Sequence, residues 1–432
     1  MIRALFTAVT LTLLAALPVR AIDIQDTTSP GGIPVWLVED HSIPFVAVNI
    51  AFRGGASVDA EGKRGAINLM TALLEEGSAD RNATEYAQAL ETLGAQTSFN
   101  ASDDAVSVTF RALTENRDQA ADLLADALAR PRFDADAVDR VRAQVQSVIR
   151  SEDTDPQSIA AKEMARRLWG DHPYGTSLNG TADSVAALTR DDLIAAKDRV
   201  LARDRVIVSA AGDIDAASLG ALVDRILGDL PATATAPLPT RVEPRLDGET
   251  TVIDWDSPQT VVSFAGQGLP MSDPDYFAAF VLNHILGGGG FSSRLMNEIR
   301  EKRGLTYGVG TGLANQLWGE SWVGGMATAN DRTAEAVGLL REVWDGIKTG
   351  VTEQELTDAK TYLTGEYPLR FDGNGKIASI LTGMQLMGMP RDYVNTRNGR
   401  IEAVTLADVQ RVAERLLDSG KLNIVLVGRP ES

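Results

Sequence analysis

Residues 287–307 have the sequence GGGGFSSRLMNEIREKRGLTY, in which a glycine run, a helical segment and the start of a strand follow one another. The two serines after the glycines are suited to cap a helix, and Gly304 is suited to end it. The glycine-alternating residues that follow predict a strand. Arg300 and Tyr307 therefore lie on either side of a helix-to-strand turn. Both side chains could reach one pocket. There the arginine could bind a carboxylate or carbonyl, and the tyrosine hydroxyl could donate to a developing oxyanion.

The composition is typical of a globular protein with room for two or more domains. The chain has 432 residues, of which 44% are hydrophobic and 23% charged. Its net charge of −18 argues against nucleic acid or anionic lipid as a partner. It contains no cysteine, so disulfides, thiolate metal sites and a cysteine nucleophile are excluded.

The first 21 residues are typical of a secretory signal peptide. Arg3 gives the positive start, Ala4 to Leu17 form the apolar run, and Ala21 ends a small-residue cleavage site. That run is too short to span a bilayer, and no later segment is long and apolar enough, so no stable membrane span is expected after cleavage. We expect an exported mature protein that begins near Ile22, with the periplasm as its compartment.

The predicted fold class is α+β, because short apolar strands alternate irregularly with helical segments instead of forming a regular βαβ array. Residues 231–245 begin PATATAPLP and have no apolar periodicity, which predicts a linker. This linker separates an N-terminal domain, residues 22–230, from a C-terminal domain, residues 246–432.

The two predicted domains are related in sequence. Three landmarks recur at one offset of 216 residues: Thr189/Thr405, Asp192/Asp408 and Gly212/Gly428. Chance similarity of amphipathic helices does not readily place three landmarks at one offset. A tandem duplication of one α+β domain explains them.

The phrases LGGGGFSSRL and REKRGLTYG resemble the second half of the insulinase/pitrilysin-like zinc peptidases. The duplicated architecture extends this resemblance over nearly the whole mature chain. It implies two homologous tandem domains of mixed sheet plus helices, which form one half of a clamshell. It also implies that Arg300 and Tyr307 bind substrate opposite a zinc ion.

The glycine run has two interpretations. The resemblance implies that Gly287, Gly288, Gly289 and Gly290 form a flexible segment near the substrate cavity. A plain tight turn is the alternative. No G-K-[ST] follows the glycines, so a phosphate loop is not predicted.

The zinc-binding part of the family's active site is missing from this sequence. Active members have an HxxEH helix in the first half, where two histidines hold zinc and the glutamate is the general base. A second glutamate, further along the chain, completes the ligand set. The flanking Gly65 and Gly77 define the corresponding positions here. Those positions hold Asn68 and Ala72 for the histidines, Thr71 for the glutamate and Val148 for the distal glutamate.

The remaining candidate ligands do not form a motif. The chain has three histidines, and no two of them are close in sequence, so we expect no metal in this chain. His172 and His284 are interpreted as structural and His41 as exposed. The acidic pairs at 75–76 and 103–104 are interpreted as solvated surface.

The resemblance implies a two-chain arrangement, because some bacterial members pair an HxxEH chain with a chain that has only the Arg/Tyr pair. This chain would then be the metal-free, substrate-binding subunit of a periplasmic heterodimeric zinc peptidase, inactive alone. The partner would hold the zinc, and a peptide would add as a strand beside residues 98–107. The alternative is a non-enzymatic peptide-binding or scaffold protein of the same fold. The intact Arg300 and Tyr307 argue against that alternative.

Overall fold

The computed structural model describes residues 22–431, and the predicted signal peptide lies outside the described residues. Two β-sheets, one from each half of the chain, are the framework on which the helices pack. The strands of the first half are β1 (Gln25–Thr28), β2 (Pro34–Glu39), β3 (Phe45–Arg53), β4 (Gly77–Ser78), β5 (Arg81–Asn82), β6 (Gln96–Ala101), β7 (Ala105–Leu113) and β8 (Val206–Gly212). Those of the second half are β9 (Thr250–Asp254), β10 (Gln259–Gln267), β11 (Thr306–Gln316), β12 (Gly319–Ala329) and β13 (Asn423–Gly428).

The helices lie between these strands along the chain. The first half contains α1 (Ala66–Ala72), α2 (Ala83–Thr92), α3 (Arg117–Ala129), α4 (Ala135–Glu152), α5 (Pro156–Trp169), α6 (Ala182–Ala186), α7 (Arg190–Val200) and α8 (Ala216–Leu227). The second half contains α9 (Tyr276–Asn283), α10 (Thr333–Gly346), α11 (Glu353–Glu366), α12 (Asn374–Leu386), α13 (Tyr393–Glu402) and α14 (Leu406–Leu416).

The two sheets have the same topology. The first has the order β1-β2-β8-β3-β7-β6 and the second the order β11-β12-β10-β13-β9. Apart from β1, each strand of the first sheet has a counterpart in the second, and the pairs β2–β8 and β9–β13 are both parallel. The other adjacent strands are antiparallel. The α+β class and the tandem duplication are therefore confirmed.

The duplicated landmarks have the same local structure in both halves. The Thr189 hydroxyl accepts a hydrogen bond from the Asp192 amide at the start of α7, and Thr405 does the same for Asp408 at the start of α14. Gly212 and Gly428 end the equivalent strands β8 and β13 with φ values of 129° and 155°. A side chain at either glycine would collide with the neighbouring strand.

Each sheet also receives a helix from the other half of the chain. Helix α5, from the first half, packs Met164 and Trp169 against Val425 of β13 in the second sheet. Helix α12, from the second half, packs Ala378 against Ala47 and Ala211 of the first sheet. The packing therefore crosses the predicted domain boundary in both directions.

The predicted linker is held against both halves. No helix or strand lies between Leu227 and Thr250 in the described part of the chain. The Val242 amide donates to the Trp318 carbonyl at 2.7 Å, and the Arg245 amide donates to the Leu168 carbonyl at 2.9 Å. Among residues 22–431, no helix is long and apolar enough to cross a membrane.

Candidate functional site

The glycine run is partly helical. Helix α9 continues into a π-helical turn over His284–Gly288, so Gly287 and Gly288 end a helix. These two residues are therefore helical in this structure, and their flexibility stays a prediction. A side chain at Gly287 would place its Cβ 2.5 Å from the Thr311 hydroxyl, so this glycine allows the helix to lie directly on β11.

The turn after the glycines also differs from the expectation. Gly289 is followed by a short 3₁₀ turn at Gly290–Ser292. The Ser293 hydroxyl donates to the Gly290 carbonyl at 2.7 Å instead of capping the next helix, so the predicted serine cap was wrong. A π-helical segment, Met296–Glu301, follows, and Gly304 ends it with φ of 60°.

Arg300 and Tyr307 come together as the spacing predicts. The Arg300 guanidinium carbon lies 5.5 Å from the centre of the Tyr307 ring and 4.5 Å from the centre of the Phe291 ring. Tyr307 is 91% exposed and Phe291 is 68% exposed. We call Phe291, Arg300 and Tyr307 the arginine–aromatic cluster. The guanidinium also forms an ion pair with Glu301 at 2.7 Å.

A β-bulge explains why Tyr307 points into solvent. The register of β11 against β12 shifts between Thr306 and Val309, so the intervening residues have no regular partner. The Thr306 hydroxyl donates to the Ala327 carbonyl at 2.7 Å and accepts from the Gly308 amide at 3.1 Å. These bonds fix the bulge and leave the tyrosine side chain outside the sheet.

A cavity of about 450 Å³ lies beside Tyr307, between α5 and the second sheet. Its polar lining groups include Gln157, Gln259 and Ser263, and no charged residue of the described chain lines it. Tyr307 therefore borders a space large enough for a peptide side chain and places a hydrogen-bond donor at its edge.

The positions of the lost zinc motif hold one amide, which joins a hydrogen-bond network, and three side chains without a metal-binding group. On α1, the Asn68 amide donates to the Asn179 carbonyl oxygen at 2.8 Å, and the Asn179 amide donates to Glu152 at 2.6 Å. Lys162 lies 3.1 Å from the same carboxylate. Thr71 is buried, Ala72 packs against the core, and Val148 is 49% exposed on α4.

These residues do not fit a zinc ion. Asparagine, threonine, alanine and valine replace the four groups that the family motif requires. Within residues 22–431, no three His, Cys, Asp or Glu side chains are placed to hold a metal. The carboxylate of this network, Glu152, is paired with the Lys162 ammonium.

A buried carboxylate positions α1. Asp59 accepts hydrogen bonds from the amides of Gly65 and Ile67 at 2.9 and 2.8 Å, at the N-terminus of this helix. Burial raises the pKa of Asp59 to about 6, in spite of these two bonds and the nearby Arg64.

The acidic pair Asp103–Asp104 was wrongly interpreted as solvated surface. Asp103 forms an ion pair with Arg64 at 2.6 Å. Asp104 accepts from the Tyr174 hydroxyl and, at 3.1 Å, from the Leu317 amide. Burial raises the pKa of both carboxyls. This pair therefore joins the β6–β7 turn to the tip of the β11–β12 hairpin. In the other pair, Glu75 is exposed and Glu76 forms an ion pair with Arg140.

The three histidines lie apart. His41 Nδ1 lies 2.6 Å from Asp213, and this hydrogen bond raises the pKa of the histidine. His172 accepts from the Tyr174 amide and donates from Nε2 to the Thr240 carbonyl at 3.2 Å. His284 is buried and stacks on Tyr362 with ring centres 4.9 Å apart. Burial lowers the pKa of His284 and of the half-buried His172.

The strand proposed to receive a peptide is an edge strand. β6 ends the first sheet and pairs on one side with β7. β7 lies inside the sheet between β6 and β3, so only the Ser98–Ala101 part of the predicted 98–107 region presents a free edge. Main-chain groups on that edge suit the addition of an extended peptide.

Comparison with known proteins finds similarity over nearly the whole chain. Residues 34–182 match the family described as Insulinase (Peptidase family M16), and residues 187–363 match the family described as Peptidase M16 inactive domain. An uncharacterized zinc protease of Mycobacterium bovis is 30% identical over 407 residues, which cover 93% of this chain and 92% of that protein. The non-peptidase homolog YmxG of Helicobacter pylori is 26% identical over 398 residues, 91% of each chain.

Solved structures agree in fold. The crystal structure of a peptidase M16 inactive domain from Pseudomonas fluorescens superposes with a TM-score of 0.87 at 29% identity, over 95% of this chain and 98% of that one. A chain of complex III2 from Candida albicans superposes with a TM-score of 0.76 at 16% identity, over 94% and 96% of the two chains. The second likeness concerns the fold alone.

Proposed function

This chain belongs to the insulinase family, peptidase family M16, and we propose that it is the metal-free, substrate-binding subunit of an exported heterodimeric zinc peptidase. Its partner is a family member that has the HxxEH motif, and the pair acts on peptides in the periplasm. The observation that most supports this proposal is the exposed arginine–aromatic cluster on a chain whose zinc positions hold Asn68, Ala72 and Val148.

The exposure of the cluster supports a role in binding. Folding buries aromatic side chains because of the hydrophobic effect, and this fold gains little from a tyrosine that is almost wholly in solvent. Tyr307 is nevertheless held by a bulge with its own hydrogen bonds. A β-bulge that turns a side chain out of a sheet is common next to functional sites.

The chemistry of the two side chains suits peptide hydrolysis at a shared site. Arg300 donates to a peptide carbonyl or to a terminal carboxylate and so fixes the substrate backbone. The Tyr307 hydroxyl donates to the oxygen of the scissile carbonyl as that carbon becomes tetrahedral and the oxygen gains charge. The partner's metal site supplies the activated water. Strand addition along β6 aligns the rest of the peptide.

Substitution of the two residues in the mixed heterodimer tests this proposal. We expect Tyr307→Phe to lower kcat by about 10²-fold, since the loss of one oxyanion donor typically costs this much. We expect Arg300→Ala mainly to raise KM. Arg303→Ala and Tyr362→Phe are matched controls, because both side chains are partly exposed and lie outside the cluster. Full activity of both cluster variants would contradict the proposal.

A non-enzymatic binding or assembly role is the second candidate. The name of the Helicobacter pylori relative, non-peptidase homolog, favours it. It differs from the first proposal in one measurable respect. Under this alternative, peptidase activity never depends on mixing two chains, and substitutions at Arg300 and Tyr307 leave any such activity unchanged.

A further inference from the structure

The cavity beside Tyr307 has a counterpart in the first half of the chain. The cavity beside Tyr307, of about 450 Å³, lies where the start of α5 meets β10, β11 and β12. The counterpart, of about 410 Å³, lies where the start of α12 meets β3 and β7. We call them the Tyr307 cavity and the Arg111 cavity, after one residue that lines each. In both, a helix from the other half of the chain forms one wall and the sheet forms the other.

The strand registers identify equivalent positions in the two sheet walls. Ala47 on β3 and Val261 on β10 are equivalent, because each pairs with the residue that precedes the landmark glycine of its half. On its other side, Ala47 pairs with Arg111 of β7. Val261 pairs in the same way with Ala327 of β12. Ala327 in the Tyr307 cavity therefore has the position that Arg111 has in the counterpart.

The two cavities differ in charge and in bulk at these equivalent positions. Three charged side chains line the Arg111 cavity: Arg111, Asp372 and Lys376. No charged residue of the described chain lines the Tyr307 cavity, and Ala327 presents a methyl group where its counterpart presents a guanidinium. By the same register, Gly325 has the position of Thr109. The Tyr307 cavity is therefore uncharged, and two of its wall positions hold the smallest residues.

The other walls of the Tyr307 cavity favour an apolar occupant. Ala160 on α5 and Met326 on β12 are buried, and Val261 is partly buried beside them. An ionised side chain in this space would lose its hydration without gaining a partner of opposite charge. A large aromatic or aliphatic side chain would gain free energy by burying its surface.

Tyr307 places this cavity next to the bond that is cleaved in the proposed function. The residue lines the cavity, and its hydroxyl is proposed to donate to the oxygen of the scissile carbonyl. Only a few covalent bonds separate that carbonyl from the side chains on either side of the scissile bond. One of these side chains can therefore enter the cavity while the carbonyl contacts the tyrosine.

We propose that the Tyr307 cavity is a specificity pocket for a large uncharged side chain, aromatic or long aliphatic, next to the scissile bond. The inference rests on the proposed function, which supplies the peptide, and it names the substrate class. Ala327 determines the preference, because the arginine found at the equivalent position of the other cavity would bring a cation and fill the space.

Peptide binding to the isolated mature chain tests this pocket without the partner. The probe is a labelled host peptide of glycine and serine with blocked termini and one central guest residue, which is Phe, Ala, Glu or Lys. Fluorescence anisotropy measures its affinity. We expect the Phe guest to bind at least about tenfold more tightly than the Ala guest, because the pocket buries its ring. The Glu and Lys guests should bind no more tightly than the Ala guest.

Two substitutions of Ala327 separate charge from volume. Ala327→Arg should weaken binding of the Phe guest and strengthen binding of the Glu guest about tenfold relative to wild type, through a charge-assisted hydrogen bond. Ala327→Leu should weaken binding of the Phe guest without a gain for the Glu guest, because it adds bulk alone. Arg111→Ala is the matched control. It lies in the counterpart cavity and should leave all four affinities unchanged.

Circular dichroism verifies that the variants are folded, and Ala327→Leu decides the test if Ala327→Arg is not. Equal binding of the Phe and Ala guests by the wild type, or no measurable binding of any guest, would overturn the inference. An unchanged order of guests in the folded Ala327 variants would also overturn it. Loss of the Phe preference in Arg111→Ala would overturn it too, since the guest would then occupy the other cavity.

Failure of this inference is separable from failure of the proposed function. The guest preference is measured on the isolated chain, whereas the proposed function is measured as peptidase activity of the mixed pair. Tyr307→Phe keeps the ring that lines the cavity and removes the hydroxyl. It should therefore lower the activity of the mixed pair and leave the preference for the Phe guest intact.

Discussion

The exposure of Tyr307 favours a role in binding over a role in packing. The residue follows a helix-ending glycine, and its distance in sequence from Arg300 was sufficient to predict that the two side chains meet. The bulge that turns Tyr307 outward could not be predicted, because it depends on pairing with β12. Phe291, the third member of the cluster, was also missed, since an isolated aromatic after a glycine run indicates no particular contact.

Asp103 and Asp104 were misinterpreted for a physical reason that applies to buried charge in general. Their partners are Arg64, Tyr174 and the Leu317 amide, which are distant in sequence. The local sequence of a polar turn is the same whether the turn faces water or packs against another loop. Burial of such a turn follows from the tertiary fold.

Asp59 makes a pH-dependent contribution to stability that can be measured. Its pKa rises from 3.8 in the unfolded chain to about 6 in the fold, so between these values the folded state binds more protons. Its contribution to the free energy of unfolding therefore decreases as the pH rises from about 4 to about 6, and it stays constant above that range. The total decrease is about 3 kcal/mol.

Asp59→Asn should remove this decrease. We expect the free energy of unfolding of the variant, minus that of the wild type, to increase between pH 4 and pH 6 in urea denaturation. Glu61→Gln, at an exposed neighbouring carboxylate, should show no comparable change. A difference between Asp59→Asn and wild type that is flat with pH would refute the assignment.

At the level of elements, the packing of α9 against β11 determines the position of the cluster. The sequence predicted a helix after the glycines and a strand after Gly304, and both are present. It did not predict that α9 would extend through Gly287 and Gly288 as a π turn. The π turn depends on contact with β11, where Thr311 lies against Gly287. The residues near Gly287 in the sequence do not predict that contact.

Gly287→Ala should destabilise this contact. The added methyl group would lie 2.5 Å from the Thr311 hydroxyl and 2.9 Å from its amide, so the helix or the strand must shift. Overpacking of this kind costs about 1–3 kcal/mol, which we expect as a lower urea midpoint.

Gly308→Ala is the matched control for this substitution. No atom lies within 4 Å of a Cβ placed there, so its effect should be below about 0.5 kcal/mol. Equal destabilisation by the two substitutions would show that the contact between Gly287 and Thr311 does not determine the packing.

At the scale of the whole molecule, the two halves are linked by exchanged helices. The duplicated landmarks allowed the tandem repeat to be predicted from one sequence. The exchange could not be predicted, because the apolar face of a helix does not by itself specify which of two similar sheets it packs against. The structure places each on the sheet of the other half.

This exchange predicts that neither half folds alone. Residues 22–230 expressed without the second half would expose the apolar face of α5, including Met164 and Trp169, and would leave Ala47 and Ala211 uncovered. We expect residues 22–230 and 231–432 to be insoluble or unfolded when expressed separately, and to form a soluble complex when expressed together. A cooperative unfolding transition of either half alone, measured by circular dichroism, would contradict this prediction.

The most direct test of the central claim is peptidase activity together with zinc content, for the purified mature chain alone and mixed with an HxxEH-bearing family member from the same organism. A division of the active site between two chains predicts no activity and no bound zinc in this chain alone. It predicts activity in the mixture, with zinc in the partner only. Activity and stoichiometric zinc in this chain alone would contradict the claim.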